Sequence, residues 1–293
     1  MRVLVLGSKG QLGRCLSDQL DNTDFEIIQT SRVEIDVSDL AATKDKIFII
    51  NPSVVINATA YAAVDKAEDD QQAADLINHL AVANLASICN QLDCWLVHVS
   101  TDYVFDGMSL RPYQEDDQTN PQGVYGYTKL KGERAIQASG CKHLILRTAW
   151  VFSEYGNNFL KTMIRLGAER NELRIVGDQI GCPTYAQDIA GSIVAMLPSL
   201  ESGILTSGIL HYCGDLPVSW FEFAQEIFSE ARKLGLKTPS LLHSIETSAY
   251  PTPAARPAYS VLDCSKITAN FAIHSSDWRQ GIRQVLDKLQ SQN

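Results

Sequence analysis

Tyr125 and Lys129 stand four residues apart in Gly123-Val124-Tyr125-Gly126-Tyr127-Thr128-Lys129-Leu130-Lys131, and Tyr127 and Lys131 repeat the spacing. Residues four apart share a helix face. An ammonium beside a phenol favours the phenolate and lowers the tyrosine pKa from about 10 toward neutrality. Such a tyrosine can pass a proton to or from a carbonyl or alcohol oxygen. Either pair alone is also a common surface-helix pattern, and the residues by themselves leave the choice between them open. A second segment, Val97-His98-Val99-Ser100-Thr101-Asp102, reads as an apolar strand ending in hydroxyls and a carboxylate. Ligands of open parallel sheets bind beyond the carboxyl ends of the strands. A hydroxyl there can hydrogen-bond a reacting oxygen; a plain turn cap is the alternative.

The chain begins with an apolar run, Val3-Leu4-Val5-Leu6, that breaks into Gly7-Ser8-Lys9-Gly10-Gln11-Leu12-Gly13. Strand, tight turn and helix start in this order bind the pyrophosphate of a dinucleotide. Gly7 allows the turn, Gly10 lets the backbone approach the phosphates, and Gly13 lets the helix lie close to the strand. The spacing is G-x-x-G-x-x-G rather than G-x-G-x-x-G, a weak signal that its position after the first strand strengthens. Gln11 and Leu12 open the helix and count among the expected cofactor contacts. An acid about twenty residues past the turn would bind the ribose 2′-hydroxyl of NAD. Thr30-Ser31-Arg32 stand there instead, and Arg32 can pair with a 2′-phosphate. That favours NADPH and leaves NADH open.

Elements that position these groups follow from the pattern. Strands are expected at 2–6, 25–29, 53–57, 95–100 and 143–148, and helices near 11–20, 38–49, 69–92 and 124–138. Regular alternation implies an α/β, Rossmann-type doubly wound parallel sheet. Val54-Val55-Ile56 and Leu144-Ile145-Leu146 are apolar throughout, as strands buried on both faces must be. After residue 150 the rhythm changes, with helices near 158–170, 187–197, 219–234 and 278–290. Tyr250-Pro251-Thr252-Pro253-Ala254-Ala255-Arg256-Pro257 can be neither regular helix nor central strand. The expected division is a dinucleotide-binding domain over 1–150 plus roughly 186–213, and a smaller C-terminal substrate-binding lobe over 151–185 and 214–293.

Composition narrows the class. At 293 residues and 45% hydrophobic content the chain can bury a sizeable core. Its net charge of -9 argues against general binding of nucleic acid or anionic membrane. Seven scattered cysteines without a C-x-x-C spacing read as reduced thiols. No apolar leader or run of about 18 apolar residues occurs, so a cytoplasmic location is expected.

Four segments together carry a family resemblance: the glycine turn, Asn57-Ala58-Thr59-Ala60-Tyr61-Ala62-Ala63-Val64-Asp65-Lys66-Ala67-Glu68, Ser100-Thr101-Asp102-Tyr103-Val104-Phe105-Asp106-Gly107, and Tyr125-Gly126-Tyr127-Thr128-Lys129. They resemble the extended short-chain dehydrogenase/reductases. Arg147-Thr148-Ala149-Trp150-Val151-Phe152, Gly156-Asn157-Asn158-Phe159, Asp178-Gln179-Ile180-Gly181-Cys182-Pro183-Thr184 and the Pro-rich stretch extend the match across nearly the whole chain. They narrow it to the dTDP-4-dehydrorhamnose reductase family.

The resemblance implies the site. It puts the catalytic pair at Tyr125 and Lys129 and the third catalytic group at Thr101, leaving Tyr127 as a packing or rim residue and Lys131 as solvated. It implies that Asp102 and Trp150 line the sugar pocket and that Asn158 and Arg256 touch the nucleotide diphosphate. Asp36 and Val37 would flank the adenine, and Ala60, Tyr61 and Ala62 the pyrophosphate and nicotinamide ribose. Family members can carry magnesium between carboxylates at a dimer interface. Arg14 and Gln187 replace two of the expected glutamates, so no metal is expected and the oligomeric state stays open between monomer and homodimer. The implied reaction is NAD(P)H-dependent reduction of a nucleotide-linked 4-keto sugar, dTDP-4-dehydro-β-L-rhamnose, for cell-surface polysaccharide. Two rivals are a nucleotide-sugar epimerase or dehydratase with retained NAD, and a non-catalytic dinucleotide-binding regulatory subunit.

Overall fold

A computed structural model of the chain describes residues 1–201 and 207–291. The part of the expected dinucleotide domain at 202–206 and the last two residues of the expected lobe lie outside the described residues. Strands β1 (Arg2–Leu6), β2 (Glu26–Thr30), β3 (Val54–Asn57), β4 (Trp95–Thr101) and β5 (His143–Thr148) join the strand Gly208–His211 in one sheet. The order is Gly208–His211, β5, β4, β3, β1, β2, and every pairing is parallel. The chain leaves β1 for β2 on one side and returns to β3 on the other. That reversal opens a crevice at the carboxyl ends of β1 and β3, where α/β sheets bind ligands.

Helices cover both faces because the strands are apolar on both. Val3, Val5, Val54, Ile56, Val97, Leu144 and Leu146 pack toward Cys15, Leu16 and Leu20 of α1 (Gln11–Leu20). Between them Leu4, Leu6, Val55, Leu96 and Ile145 pack toward Ile47 of α2 (Leu40–Ile50) and Val82, Leu85 and Ile88 further along the chain. Burying one such side chain stabilises the fold by about 1.5–3 kcal/mol before entropy is counted.

Two expectations are corrected. The sequence reading drew no strand at Gly208–His211, which pairs with β5 in register Leu210 to Leu146. The single helix expected over 69–92 follows an undrawn α3 (Val64–Asp69) and is broken into α4 (Gln71–Asp75), a π-helical turn at Leu76–Leu80 and α5 (Ala81–Leu92). The π turn carries Asn78, whose side chain accepts from the Tyr61 N–H (2.9 Å) and donates to the Tyr61 carbonyl (3.2 Å) and the Thr128 hydroxyl (3.2 Å). One buried amide thus ties the Ala60-Tyr61-Ala62 loop to α6 (Val124–Ser139). A Cβ at Gly132 of α6 would lie 2.2 Å from the Asn78 carbonyl oxygen, so only glycine permits this approach.

The C-terminal part has its own core. Phe152, Leu160, Met163, Phe223, Ile227, Phe228, Trp278 and Ile282 are buried together. They come largely from α7 (Phe159–Glu169), α9 (Trp220–Lys233) and α11 (Trp278–Ser291), with α8 (Ala186–Glu201) and α10 (Ser265–Phe271) between them in the chain. A capping box of Ser219 and Glu222 starts α9. The Pro-rich stretch is irregular, as expected. Among the described residues no helix is long and apolar enough to cross a membrane.

Candidate active site

The glycine turn is built as a phosphate cradle. Gly7 has φ 84°, and a Cβ on Gly13 would lie 2.1 Å from the Gly7 carbonyl oxygen. Only glycines let α1 sit this close to β1. Gly10 caps α1 without a side-chain hydrogen bond, so the first N–H groups of the helix meet no capping side chain. Those donors and the helix dipole fit a pyrophosphate.

At the end of β2, Thr30 is buried and its hydroxyl donates to the Val5 carbonyl (3.2 Å). The Ser31 hydroxyl and N–H both donate to Glu34 (2.8 and 2.6 Å), and Arg32 pairs with Asp36 (3.1 Å). Glu34, four residues past Thr30, thus takes both Ser31 donors. The two serine donors hold its carboxyl below the usual carboxylate range. Asp36 also accepts from Ser38, and Val37 is buried in the core under β1 and β3.

The two tyrosine–lysine pairs point to opposite sides of α6. Tyr127 is 54% exposed, with the Lys131 ammonium 5.7 Å from its ring centre. Lys131 is not solvated as expected: it pairs with Asp75 at 2.5 Å. Tyr125 is half-buried and edge-on to Tyr103 at 5.6 Å, and the Thr101 hydroxyl is near enough to favour its charged form. Thr101 ends β4, donates to Asp102 (3.0 Å) and accepts from the Tyr103 N–H (3.2 Å). Lys129 is 1% exposed; it donates to the Val99 carbonyl (2.6 Å) and lies 3.0 Å from His98 Nε2. Thr101, Tyr125 and Lys129 therefore converge at the carboxyl end of β4.

Burial sets the electrostatics. It pushes the Tyr125 phenol up to about 12, with the Thr101 hydrogen bond opposing and Asp102 reinforcing. Burial also lowers Lys129 to about 8 against the attraction of Glu133, and raises Asp102 to about 6 against hydrogen bonds from Ser260 and Thr101. The expected lowering of the tyrosine is thus reversed, because removal of the phenol from water outweighs what favours its charge. A phenol held protonated is the form that donates. Asp102 Oδ2 is buried without a hydrogen-bond partner.

A sequence profile of the RmlD substrate binding domain matches residues 1–291. A dTDP-4-dehydrorhamnose reductase of Aggregatibacter actinomycetemcomitans is 42% identical over 291 residues, covering 97% of this chain and 98% of its own. The chain belongs to the dTDP-4-dehydrorhamnose reductase family. The crystal structure of a reductase of that name from Clostridium acetobutylicum is 36% identical, with TM-score 0.92 over 99% of this chain and all of the other. One from Bacillus anthracis, solved in complex with NADP, is 33% identical, with TM-score 0.90 over 98% of this chain and 99% of its own.

Other residues singled out from the sequence have protein partners in this family member. Trp150 adopts φ 46° and stacks on Trp220 at 3.5 Å, with Gly181 leaving room for its indole. Asn158 caps α7 and donates to Gln11 Oε1 (2.7 Å), while Gln11 donates to the Val151 carbonyl. Leu12 packs against the α1 core. Arg256 pairs with Asp65 of α3 (2.8 Å), and the same carboxylate accepts from the Ala254 N–H (3.2 Å). The Pro-rich stretch is thereby pinned over α3. Sequence reasoning gave no role to Asp65, Trp220, Asn57 or His98. His98 was the detectable one: a lone polar residue inside an apolar run. Arg14 lies over the Tyr155 ring, and Gln187 donates to Asp18. No cluster of three potential metal ligands occurs among the described residues.

Proposed function

We propose that the protein reduces the C4 keto group of dTDP-4-dehydro-β-L-rhamnose, giving dTDP-β-L-rhamnose for rhamnose-containing cell-surface polysaccharide. The convergence of Thr101, Tyr125 and Lys129 beside the glycine cradle, in a chain of this family, carries the reading. NADPH is the donor, supported by the Bacillus anthracis complex with NADP; NADH is the alternative. When bound, the dinucleotide supplies hydride to C4.

The protein's own part is binding and proton delivery. Gly7, Gly10, Gly13 and the start of α1 hold the pyrophosphate; Ser31 and Arg32 face the 2′-phosphate end; Ala60 to Ala62 border the ribose. Tyr125 gives its proton to O4 as the C4–O4 double bond becomes single. Thr101 hydrogen-bonds the same oxygen and orients it. Lys129 binds the ribose behind the tyrosine. Asp102 Oδ2, an acceptor without a partner, takes a sugar hydroxyl, and Trp150 forms a wall of the pocket. Arg256 and Asn158 turn to the diphosphate by exchanging Asp65 and Gln11 for phosphate oxygens.

We assign the dinucleotide to residues 1–150 with roughly 186–213, and the sugar nucleotide to the remaining lobe. All seven cysteines are free thiols, which supports a reducing, cytoplasmic setting. The test is an anaerobic assay with dTDP-4-dehydrorhamnose. One NADPH oxidised per keto sugar reduced is expected. Turnover without net oxidation would mean an epimerase or dehydratase, and no turnover a binding subunit.

A further inference from the structure

Behind Lys129 lies a buried chain that the reaction as written does not use. Parallel register places Asn57, the last residue of β3, beside His98 of β4. Asn57, His98 and Lys129 are each at most 1% exposed. Asn57 Nδ2 lies 3.1 Å from His98 Nδ1, and His98 Nε2 lies 3.0 Å from Lys129 Nζ.

Donor counting fixes the protons along this chain. The backbone N–H of Thr59 can only donate, and it donates to Asn57 Oδ1 (3.0 Å); the Thr59 hydroxyl bonds the same oxygen (2.6 Å). Turned over, the amide would set its NH₂ against the Thr59 N–H, donor against donor. Asn57 Nδ2 therefore faces His98 and donates to Nδ1, which must hold a lone pair. A neutral imidazole with Nδ1 unprotonated carries its proton on Nε2. That N–H points at Lys129 Nζ. An ammonium has three N–H groups and no lone pair, so it meets Nε2–H as donor against donor. A neutral amine accepts from Nε2–H, donates to Val99, and keeps one N–H for the cleft.

We propose that Asn57 and His98 are positioning residues that set the proton affinity of Lys129, by fixing His98 as its Nε2–H tautomer and so favouring the amine. Other groups near the lysine do not take over this role. Glu133, one turn on along α6, favours the charged lysine, but Arg147 of β5 (2.7 Å) and Ser100 of β4 hold its carboxylate. Tyr125 on α6 and Asp102 after β4 are both raised by burial. Burial and the lysine charge also hold His98 well below its ordinary value, consistent with a neutral ring.

The inference rests on Lys129 taking part in the proposed reaction, but its first test needs no turnover. In ¹⁵N-histidine-labelled protein without dinucleotide, His98 should show an unprotonated Nδ1 and a protonated Nε2 at neutral pH. A proton on Nδ1, or on both nitrogens, would overturn the proposal. Asn57→Asp keeps an oxygen for Thr59 and offers a second oxygen to Nδ1–H, so the tautomer should reverse. His98→Gln adds no charge and can turn its carbonyl oxygen to the ammonium. The upper limb of the pH–kcat/KM profile reports loss of the Lys129 proton, and in both variants it should move up by one pH unit or more. An unmoved limb in His98→Gln, or in Asn57→Asp with the tautomer reversed, would sink it, whereas lost rate at an unmoved limb is what mere packing predicts. If no keto sugar is turned over, the reductase reading fails and the tautomer measurement still decides the proton assignment.

Discussion

Tyr125→Phe tests the catalytic register most directly. It removes one hydroxyl and leaves the ring edge-on to Tyr103. Thr101 still donates to Asp102 and accepts from the Tyr103 N–H. No buried polar atom is orphaned, so stability should fall by no more than about 1 kcal/mol. The chemical loss is larger. A positioned general acid is worth roughly 10²–10⁴-fold, or about 3–5 kcal/mol of barrier. NADPH oxidation at saturating keto sugar should fall by that factor, while NADPH affinity, read by fluorescence titration, stays within about twofold. Tyr127 lies about 200° around the helix from Tyr125 at 3.6 residues per turn, so Tyr127→Phe should keep nearly full activity. With the phenol at about 12, its own ionisation lies above the upper limb assigned to Lys129. The reverse pattern would move the proton donor to Tyr127; full activity in both variants would end the proposed mechanism.

Arg32→Ala should raise KM for NADPH roughly fivefold more than KM for NADH. The guanidinium is 81% exposed, which limits its charge pairing to about 1 kcal/mol, and equal changes for both cofactors would show that it does not read the 2′-phosphate. Exhaustive dialysis against EDTA should leave activity and Tm unchanged, given Arg14 and Gln187 at two carboxylate positions; a loss restored by magnesium alone would overturn that. Asp102→Asn should lower kcat/KM yet stabilise the fold at pH 7.5. Its charged form is penalised from 3.8 up to about 6, on the order of 3 kcal/mol, a penalty felt fully above the folded pKa and absent below the unfolded one. The Tm gain should therefore shrink to nothing as pH falls toward 4, and a gain independent of pH would refute the burial argument.

Local patterns were legible in the sequence because their cause is local. The glycine turn, α6 with its two tyrosine–lysine pairs, and the apolar central strands all depend on residues within a few positions of one another. The strand Gly208–His211 was missed because four residues, one of them polar, give no periodicity; its partner β5 supplies the order. The break at Leu76–Leu80 was hidden because apolar residues continue through it; Asn78 enters for the sake of Tyr61 and Thr128, far away in sequence. Arg256 read as a diphosphate contact, and its present partner Asp65 lies 191 residues away. Glu34 carries no signal in the sequence because its partner is set by the loop after β2, which folds it back onto Ser31.

The direction of the tyrosine shift has the same origin. Spacing on one helix placed an ammonium near a phenol, and on that ground alone the phenol should become more acidic. The fold adds what the helix cannot: β4 gives Lys129 a carbonyl and an imidazole as partners, and burial removes the phenol from water. Tyr125 and Asp102 are then both pushed toward their neutral forms, and Lys129 as well, by one cause, removal from water. For the phenol of a reductase this is the useful direction. The alkoxide forming at O4 takes its proton most readily from a full phenol in a dry cleft.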